Sequence, residues 1–304
     1  MIEGNNEEVK SKKEEGAKKE EGAKKEAGAK KLDPVMLVCL IIGVALIIFA
    51  IVKLIMIGLE YQVSENEYKD IANTYVEVNK DANISDGNDT SEEAVEWYEL
   101  ATVDVKGLQE KNPDVCGYIM FENEDISYPV LHASDNDYYL HRTIEKTEAK
   151  AGSIFVDCGN TSDFEDAHTI IYGHNMKNLS MFGRLRYYRT DKDYYDDHQY
   201  FQLFVDGAVY RYQIYAYKVV EDGAYIYQLY YDGGDDFAEF ANKIGSQSSR
   251  NTGIEIGPDD KIITMSTCTG NDEERFVVSA VRVDQHYFDV DEDETETETE
   301  AEGE

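Results

Sequence analysis

The sequence predicts a mainly β domain that follows a single N-terminal membrane span. Two observations support this prediction: a long apolar run near the N-terminus, and a series of short runs rich in β-branched and aromatic residues after Pro113. Clusters of Asn, Asp and Gly separate these short runs, which is typical of an antiparallel barrel or sandwich.

The apolar run extends from Val35 to Leu59, and Lys53 is its one charged residue. As a helix rising 1.5 Å per residue, it would be about 37 Å long, enough to cross a bilayer with some tilt. Lysines are frequent before the run, whereas Glu60 and Glu65 follow it. This asymmetry predicts a cytoplasmic N-terminus in the cell membrane, with everything after the span on the extracellular face.

Composition divides the chain into five segments. Residues 1–34 carry a Lys- and Glu-rich repeat and should form a disordered cytoplasmic tail before the membrane span at 35–59. Residues 60–94 resemble an extracellular stalk or linker, and residues 95–288 hold one folded domain. Residues 289–304 are mostly acidic and should form a second disordered tail.

Two stretches outside the membrane span have helical patterns. Residues 92–111 indicate a helix that the pair Asn112-Pro113 terminates. Residues 235–247 indicate an amphipathic helix that covers the β domain. Its apolar stripe consists of Phe237, Phe240, Ala241 and Ile244.

The net charge of −34 restricts the classes of partner. Phosphate groups attract Lys and Arg, so this charge disfavours nucleic acid and anionic lipid headgroups as the main partner. Amine-bearing partners are compatible with it. The charge can also be explained simply as an acidic surface that keeps the protein soluble.

The four cysteines do not form a disulfide scaffold. Cys39 lies in the apolar run, and the other three cannot all pair with one another, so at least one extracellular thiol is free. We expect Cys116 and Cys158 to be small buried hydrophobic residues.

The run KIITMSTC ends at the remaining cysteine, Cys268. As a strand, it places Ser266 and Cys268 on the same face. The next strand begins at Arg275, and a hairpin of this length places Arg275 opposite Cys268. Arg282, the competing cation, would face the other side of its strand.

The run HTIIYGHNM contains two of the six histidines. His168 begins the predicted strand, and His174 ends it at a turn, where functional groups are commonly presented. His168 would therefore lie about 20 Å away at the opposite edge of the sheet. The remaining histidines are interpreted as ordinary surface or core residues: His132, His141, His198 and His286.

Cysteine, histidine and arginine together can perform acyl transfer. A thiolate attacks a carbonyl carbon, an imidazole exchanges protons, and a guanidinium stabilises an oxyanion. This chemistry requires no metal and no cofactor, and we expect neither. The same residues could also be a buried cysteine and two unrelated polar side chains, and spacing alone leaves both interpretations open.

Three motifs resemble one known family. The stretch TMSTC (264–268) is similar to the T-L-x-T-C signature of sortases, with Met in place of Leu. The run TIIYGHNMKNLSMFGRLRYY (169–188) resembles the segment around the catalytic histidine of class B sortases. RFVV, after the cysteine loop, matches the strand that carries the family's arginine. The motifs occur in family order over roughly residues 95–285.

This resemblance implies an eight-stranded β-barrel with N-terminal helices and a helix inserted before the cysteine strand, outside a Gram-positive cell. It implies a cysteine transpeptidase in which Cys268 attacks, His174 exchanges protons and Arg275 stabilises the oxyanion. It also places the substrate peptide along Asn136, Leu140, Tyr172, Ser266 and Thr267.

The implied substrate is the C-terminal sorting motif of a secreted protein, cleaved after a Thr-like residue through a thioacyl intermediate. The implied acceptor is an amine of the cell wall or of a pilin. Two alternatives remain open: a sortase-like protease that uses water, and a surface-displayed β-domain that acts as a binding module. A zinc protein and a serine hydrolase are disfavoured, because the sequence lacks C-x-x-C, H-E-x-x-H and G-x-S-x-G motifs.

Overall fold

The computed structural model describes residues 33–79, 83–84, 94–271 and 273–288. The two predicted tails therefore lie outside the described residues, except for Asp33 and Pro34. The chain divides into two compact units, Met1–Ile57 and Gly58–Glu304.

The first helix, α1 (Pro34–Tyr75), contains the whole predicted span. Asp33 caps its N-terminus, because its side chain accepts a hydrogen bond of 3.1 Å from the backbone N–H of Val35. By length and composition this helix is able to cross a membrane, and its apolar side chains between residues 35 and 59 are exposed. The predicted N-terminal apolar helix is thus confirmed as a candidate membrane span.

The last turns of α1 belong to the larger unit. Tyr68 and Ile71 are buried in the main core, and the Tyr68 hydroxyl donates a hydrogen bond of 2.7 Å to the carbonyl oxygen of Gly152. Ser153 Oγ lies 3.0 Å from the same hydroxyl. The compact unit therefore begins well before residue 95, where the sequence placed the start of the domain.

The helix predicted for residues 92–111 is wrong over most of its length. Only α2 (Val105–Lys111) is an α-helix, and Ala101–Val103 is a short strand paired with Val76–Val78. β-Branched residues favour this extended conformation. Asp104 then starts the helix, because its side chain accepts a 2.8 Å hydrogen bond from the backbone N–H of Gly107.

Eight strands form a closed barrel, as the fold prediction stated. In chain order they are β1 (Val115–Phe121), β2 (Ser127–His132), β3 (Ile154–Val156), β4 (His168–Tyr172), β5 (Tyr200–Val205), β6 (Ala208–Glu221), β7 (Ile262–Cys268) and β8 (Glu274–Tyr287).

The order of strands around the barrel is β6, β8, β7, β4, β3, β2, β1 and β5, and β5 pairs with β6 to close it. Most neighbours are antiparallel, but β7 pairs with β4 in parallel and β3 pairs with β2 in parallel. Because β4 and β7 run in the same direction, their C-terminal ends lie side by side at one edge of the barrel.

Two short helices, two 3₁₀ turns and the inserted helix lie between barrel strands. The first two, α3 (Tyr187–Thr190) and α4 (Tyr194–Asp197), lie between β4 and β5, and a 3₁₀ turn at Phe182–Arg186 precedes them. A further 3₁₀ turn, Tyr225–Tyr227, follows β6. The inserted helix, α5 (Asp235–Ser246), agrees with the predicted amphipathic helix.

Helix α5 covers the outer face of the barrel. Its predicted stripe is buried in a second core against residues of β6, β7 and β8. The larger first core fills the barrel interior, where Ile263 and Met265 of β7 lie. Strand β7 is therefore covered on both faces, which restricts exposure to its C-terminal end.

His168 is fully buried beneath α5. Its two ring nitrogens lie 2.8 Å from the carbonyl oxygen of Gln228 and 2.9 Å from Thr264 Oγ1, and its ring packs against Phe240. Burial lowers the pKa of His168 to about 4. This histidine is a structural residue that stays neutral in the folded protein at neutral pH.

We therefore predict that His168 makes the protein less stable in mild acid. Below pH 6.5 the unfolded state takes up a proton at this residue, whereas the folded state does not until about pH 4. The resulting loss between pH 7.5 and pH 5 is about 2 kcal/mol in the free energy of unfolding. In urea unfolding of the full-length chain in detergent, His168→Gln should remove that part of the pH dependence. An unchanged pH dependence in this variant would contradict the assignment.

We also predict that Tyr68→Phe destabilises the larger unit by about 1–2 kcal/mol, because two buried hydrogen-bond partners lose the hydroxyl group. Tyr287→Phe is the matched control, since the Tyr287 side chain is 61% exposed. Urea unfolding at pH 7.5 measures both. Equal stability of the two variants would show that the C-terminal part of α1 contributes little to the fold.

Candidate active site

The side chains of β7 point alternately into the two cores, and the C-terminal end of the strand is exposed. Thr264 and Ser266 point outward, toward His168 and Tyr227 respectively. Cys268 is the last residue of the strand and is exposed. The period of two along the strand therefore presents the Cys268 side chain on the same outer face, beyond the cover of α5.

Cys268 and Arg275 face each other across the β7–β8 hairpin. They are direct register partners in the antiparallel ladder, so their side chains lie on the same side of the sheet. The hairpin length predicted this juxtaposition. Arg282, in contrast, contacts Tyr212 and the carbonyl oxygen of Phe164 on the other side of β8.

His174 reaches the same edge from the parallel strand β4. Tyr172 is the register partner of Ser266, and the backbone N–H of Gly173 donates a 3.2 Å hydrogen bond to the carbonyl oxygen of Ser266. His174 and Cys268 each lie two residues beyond this pair. The side-chain Nδ2 of the next residue, Asn175, donates a 2.6 Å hydrogen bond to the carbonyl oxygen of Cys268. The His174 loop is thus fastened to the end of the cysteine strand.

The environment of His174 favours its neutral form. Burial lowers the pKa of the imidazole, and the nearby His141 ring, 6.5 Å away between centroids, lowers it further. His174 Nε2 lies 2.7 Å from the carbonyl oxygen of Leu140. A carbonyl oxygen only accepts, so Nε2 carries the proton and Nδ1 is left to accept one.

The Arg275 guanidinium is oriented by two oxygen atoms. It donates hydrogen bonds to the carbonyl oxygen of Glu274, at 3.0 Å, and to Asp222 Oδ2, at 3.3 Å. Asp222 follows the last residue of β6, the strand paired with β8. An aspartate from a neighbouring strand therefore holds the cation beside the cysteine.

Two of the predicted substrate-binding residues converge on one carboxylate. Asn136 Nδ2 and the Tyr172 hydroxyl donate hydrogen bonds of 2.9 and 2.8 Å to Asp157 Oδ2. The side-chain oxygen of Asn136 also accepts a 2.8 Å hydrogen bond from the backbone N–H of Cys158. Asp157 thus joins the loop before β3 to the end of β4.

The other predicted substrate-binding residues are placed differently. Ser266 Oγ lies 2.7 Å from the Tyr227 hydroxyl, on the outer face. Leu140 contributes its carbonyl oxygen to His174. Thr267 points to the opposite face of β7, is buried, and its hydroxyl has no hydrogen-bond partner among the described residues. Leaving a buried hydroxyl unpaired costs about 1–3 kcal/mol.

The other two cysteines of the larger unit lie in different environments. Cys116 is buried as expected, and burial raises the pKa of its thiol. The expectation for Cys158 was wrong: it is exposed, because β3 ends at Val156 and Cys158 lies in the turn that follows. The pKa of the Cys158 thiol is raised by its partial desolvation and, to a smaller extent, by the negative charges of Asp157 and Asp135.

Sequence reasoning missed three residues of this site: Asp157, Tyr227 and Asp222. Each forms a hydrogen bond with a predicted site residue that is distant in sequence: Asp157 with Tyr172, Tyr227 with Ser266, and Asp222 with Arg275. The available signal was weak, namely a polar residue at the end of a predicted strand. Their roles depend on strand pairings that the sequence pattern does not encode locally.

The arrangement provides three groups at one edge of the barrel: an exposed thiol, a neutral imidazole and a guanidinium. Together they can attack a carbonyl carbon, move a proton and stabilise an oxyanion. Among the described residues there is no cluster of His, Cys, Asp and Glu that could hold a metal ion.

Comparison with known proteins identifies the family. The sortase domain matches residues 122–283, just over half of the chain. Sortase B of Listeria monocytogenes is 39% identical over 192 residues, which cover 60% of this chain and 77% of that protein.

Solved structures agree with this match. Sortase B of Bacillus anthracis superposes with a TM-score of 0.59 and 26% identity, covering 73% of this chain and 96% of that one. A complex of Staphylococcus aureus sortase B with a substrate superposes with a TM-score of 0.55 and 25% identity, covering 59% and 85%. The chain therefore belongs to the sortase family, as a class B sortase and hence a cysteine transpeptidase.

Proposed function

We propose that Cys268, His174 and Arg275 are the nucleophile, the proton-transfer residue and the oxyanion-stabilising cation of this transpeptidase. One observation supports this most directly: β7 carries Cys268 in register with Arg275 on one neighbouring strand and with the His174 loop on the other. The substrate is the C-terminal sorting motif of a secreted protein, and the product is an amide with an amine of the cell wall or of a pilin.

In the first half-reaction, the sulfur of Cys268 attacks the carbonyl carbon that follows a Thr-like residue. Neutral His174 accepts the thiol proton, and Arg275 stabilises the negative oxygen of the tetrahedral intermediate. The C–N bond then breaks, His174 returns the proton to the leaving amine, and a thioester remains on Cys268.

In the second half-reaction, an acceptor amine attacks the thioester carbon. His174 accepts the proton that the attacking nitrogen loses, the C–S bond breaks, and Cys268 leaves as the thiolate. The proton on His174 then restores the thiol. Each proton taken in one half-reaction is returned in the same half-reaction, so the enzyme needs no other reactant.

The sorting peptide lies along the outer face of the site. We assign Asn136, Tyr172 and Ser266 to its recognition, with Leu140 beside His174. Asp157 and Tyr227 support this assignment, because they fix the orientation of these side chains from behind. Thr267 was predicted to join this group, but its side chain is on the opposite face of β7, so any contribution to peptide binding comes from its backbone.

We further propose that α1 anchors the enzyme by a single membrane span, with the N-terminus in the cytoplasm and the barrel outside. The lysine-rich sequence before the span supports this orientation, as does the surface location of sortases in general.

One prediction from this proposal concerns the three proposed catalytic residues. With a fluorogenic library of sorting-type peptides, Cys268→Ala should abolish cleavage. His174→Ala should lower kcat/KM by about a thousandfold, and Arg275→Lys by at least about a hundredfold, because these groups act on the proton and the oxyanion in the transition state. Added amines should yield a trapped amide product.

Cys158→Ala is the matched control for this experiment, since it removes the other exposed extracellular thiol. It should retain cleavage, and mass spectrometry after brief alkylation should find Cys268 modified first. Cleavage without amine capture would indicate a protease. No turnover together with equal alkylation of both cysteines would favour the binding module.

Another prediction from this proposal concerns the pH dependence of cleavage. Burial and His141 both lower the pKa of His174. The decrease of kcat/KM in acid should therefore have its midpoint below pH 6.5. His141→Ala removes a group that lowers the pKa of His174, so the midpoint should move toward higher pH. A midpoint that moves lower, or that His141→Ala leaves unchanged, would contradict the assignment of this decrease to His174.

A further inference from the structure

A small cavity opens next to Cys268, on the face of β7 opposite to the thiol. Its volume is about 170 Å³. It includes Thr267 and Thr269, which flank Cys268 in sequence, and the side chains of Asn175, Arg186 and Arg189. We call it the arginine cavity.

The arginine cavity is cationic. None of its seven lining residues carries a carboxylate, and two of them are arginines. Arg186 donates hydrogen bonds to three neutral oxygens, those of Gly183, Met176 and Asn175, at 2.6, 2.6 and 2.5 Å. Its orientation is therefore fixed while its charge is not neutralised. A carboxylate contacts the edge of the cavity, where Thr269 Oγ1 donates a 3.4 Å hydrogen bond to Glu274 Oε2.

These two arginines differ from every other arginine in the part of the chain that the structure describes. Each of the remaining six forms an ion pair with an acidic side chain: Arg142, Arg184, Arg211, Arg250, Arg275 and Arg282. Arg186 and Arg189 form none. In a chain with 63 acidic and 29 basic residues, two neighbouring arginines that lack an acidic partner are unexpected.

The Thr267 hydroxyl provides a second, independent observation. Thr267 is 4% exposed, lines the cavity, and its hydroxyl has no hydrogen-bond partner among the described residues. A buried hydroxyl normally has a partner, and an anion in this cavity would supply one. Guanidinium groups and hydroxyls are the donors that bind carboxylate and phosphate oxygens.

The cavity is also connected to the nucleophile. Asn175 donates through Nδ2 to the carbonyl oxygen of Cys268 and accepts at Oδ1 from Arg186. Consecutive Cα atoms are about 3.8 Å apart, but the side chains of Thr267 and Cys268 leave β7 on opposite faces, so an acceptor that reaches both the cavity and the thioester passes around the open end of the strand. A molecule that reaches both places must be small or extended.

We propose that the arginine cavity binds a carboxylate or phosphate group of the amine acceptor and thereby selects acceptors that carry such an oxyanion near their amine. This inference rests on the proposed transpeptidation at Cys268. It assigns to Arg186, Arg189 and Thr267 a binding role in the second half-reaction.

The test compares matched pairs of acceptors with the full-length chain in detergent micelles. Triglycine is compared with triglycine amide, and 2-aminoethyl phosphate with ethanolamine, at a saturating concentration of sorting peptide. We expect the anionic member of at least one pair to have a KM about tenfold lower, because a charge-assisted contact is gained. The pair that shows the difference distinguishes a carboxylate from a phosphate.

Variants locate the effect. Arg189→Gln and Arg186→Gln should remove the preference for the anionic acceptor by raising its KM. Lys177→Gln removes one exposed cation from the same basic segment, outside the cavity, and should retain the preference. Equal KM values for both members of each pair in the unmodified enzyme would overturn the proposal. The same conclusion would follow if Lys177→Gln lost the preference for the anionic acceptor as fully as the arginine variants.

A binding experiment separates this inference from the proposed function. In Cys268→Ala, NMR titration with acetylglycine and with acetylglycinamide requires no turnover. Stronger binding of the acid, lost in Cys268→Ala/Arg189→Gln, supports the cavity even if no thioester ever forms in the unmodified enzyme. Equal binding of acid and amide overturns the inference, whether or not Cys268 cleaves peptides.

Discussion

The pairing of β7 with both of its neighbours is the constraint on which the rest of the site depends. On one side the antiparallel ladder with β8 fixes Arg275 opposite Cys268, and on the other side the parallel ladder with β4 fixes the start of the His174 loop. A shift of one residue in either ladder would move a functional side chain to the opposite face of the barrel. The cores on both faces of β7 oppose such a shift.

The outer core under α5 explains why polar residues alternate along β7. Thr264 and Ser266 point outward, yet they are buried, so each has a hydrogen-bonding partner: His168 for Thr264 and Tyr227 for Ser266. Burial, which lowers the pKa of His168, keeps this histidine neutral in that position at neutral pH. The two histidines of this segment therefore have different environments. His168 is a buried structural residue, whereas His174 lies at the edge of the barrel beside Cys268.

Local periodicity in the sequence was sufficient to predict the barrel strands, helix α5 and the juxtaposition of Cys268 and Arg275. These features depend on alternation, on an apolar stripe and on the length of one hairpin, all of which lie within about 15 residues of sequence. The same pattern placed His174 at the turn that ends its strand, and the family resemblance added the number of strands.

The features that the sequence did not predict depend on contacts between distant segments. Asp222 approaches Arg275 only because β6 pairs with β8, and Asp157 joins Asn136 to Tyr172 only because β3 and β4 are neighbours. The helix expected over residues 92–111 was replaced by a short strand paired with Val76–Val78, again a contact with a distant segment. There the β-branched residues and the pairing partner together favour a strand over the helix that the pattern of the longer segment indicated.

The charge distribution affects which amine acceptors can approach Cys268. The acidic surface attracts amines only weakly at a distance, because salt screens charges beyond about 8 Å. Close to Cys268, Arg186 and Arg189 line the arginine cavity and have no acidic partner among the described residues, whereas Arg275 is paired with Asp222. An ammonium group is repelled there, whereas an acceptor that brings its own anion is not. Under the proposal, such an acceptor places its anion beside Arg186 and Arg189 and presents a neutral amine to the thioester, so the arginine cavity restricts which amines complete the second half-reaction.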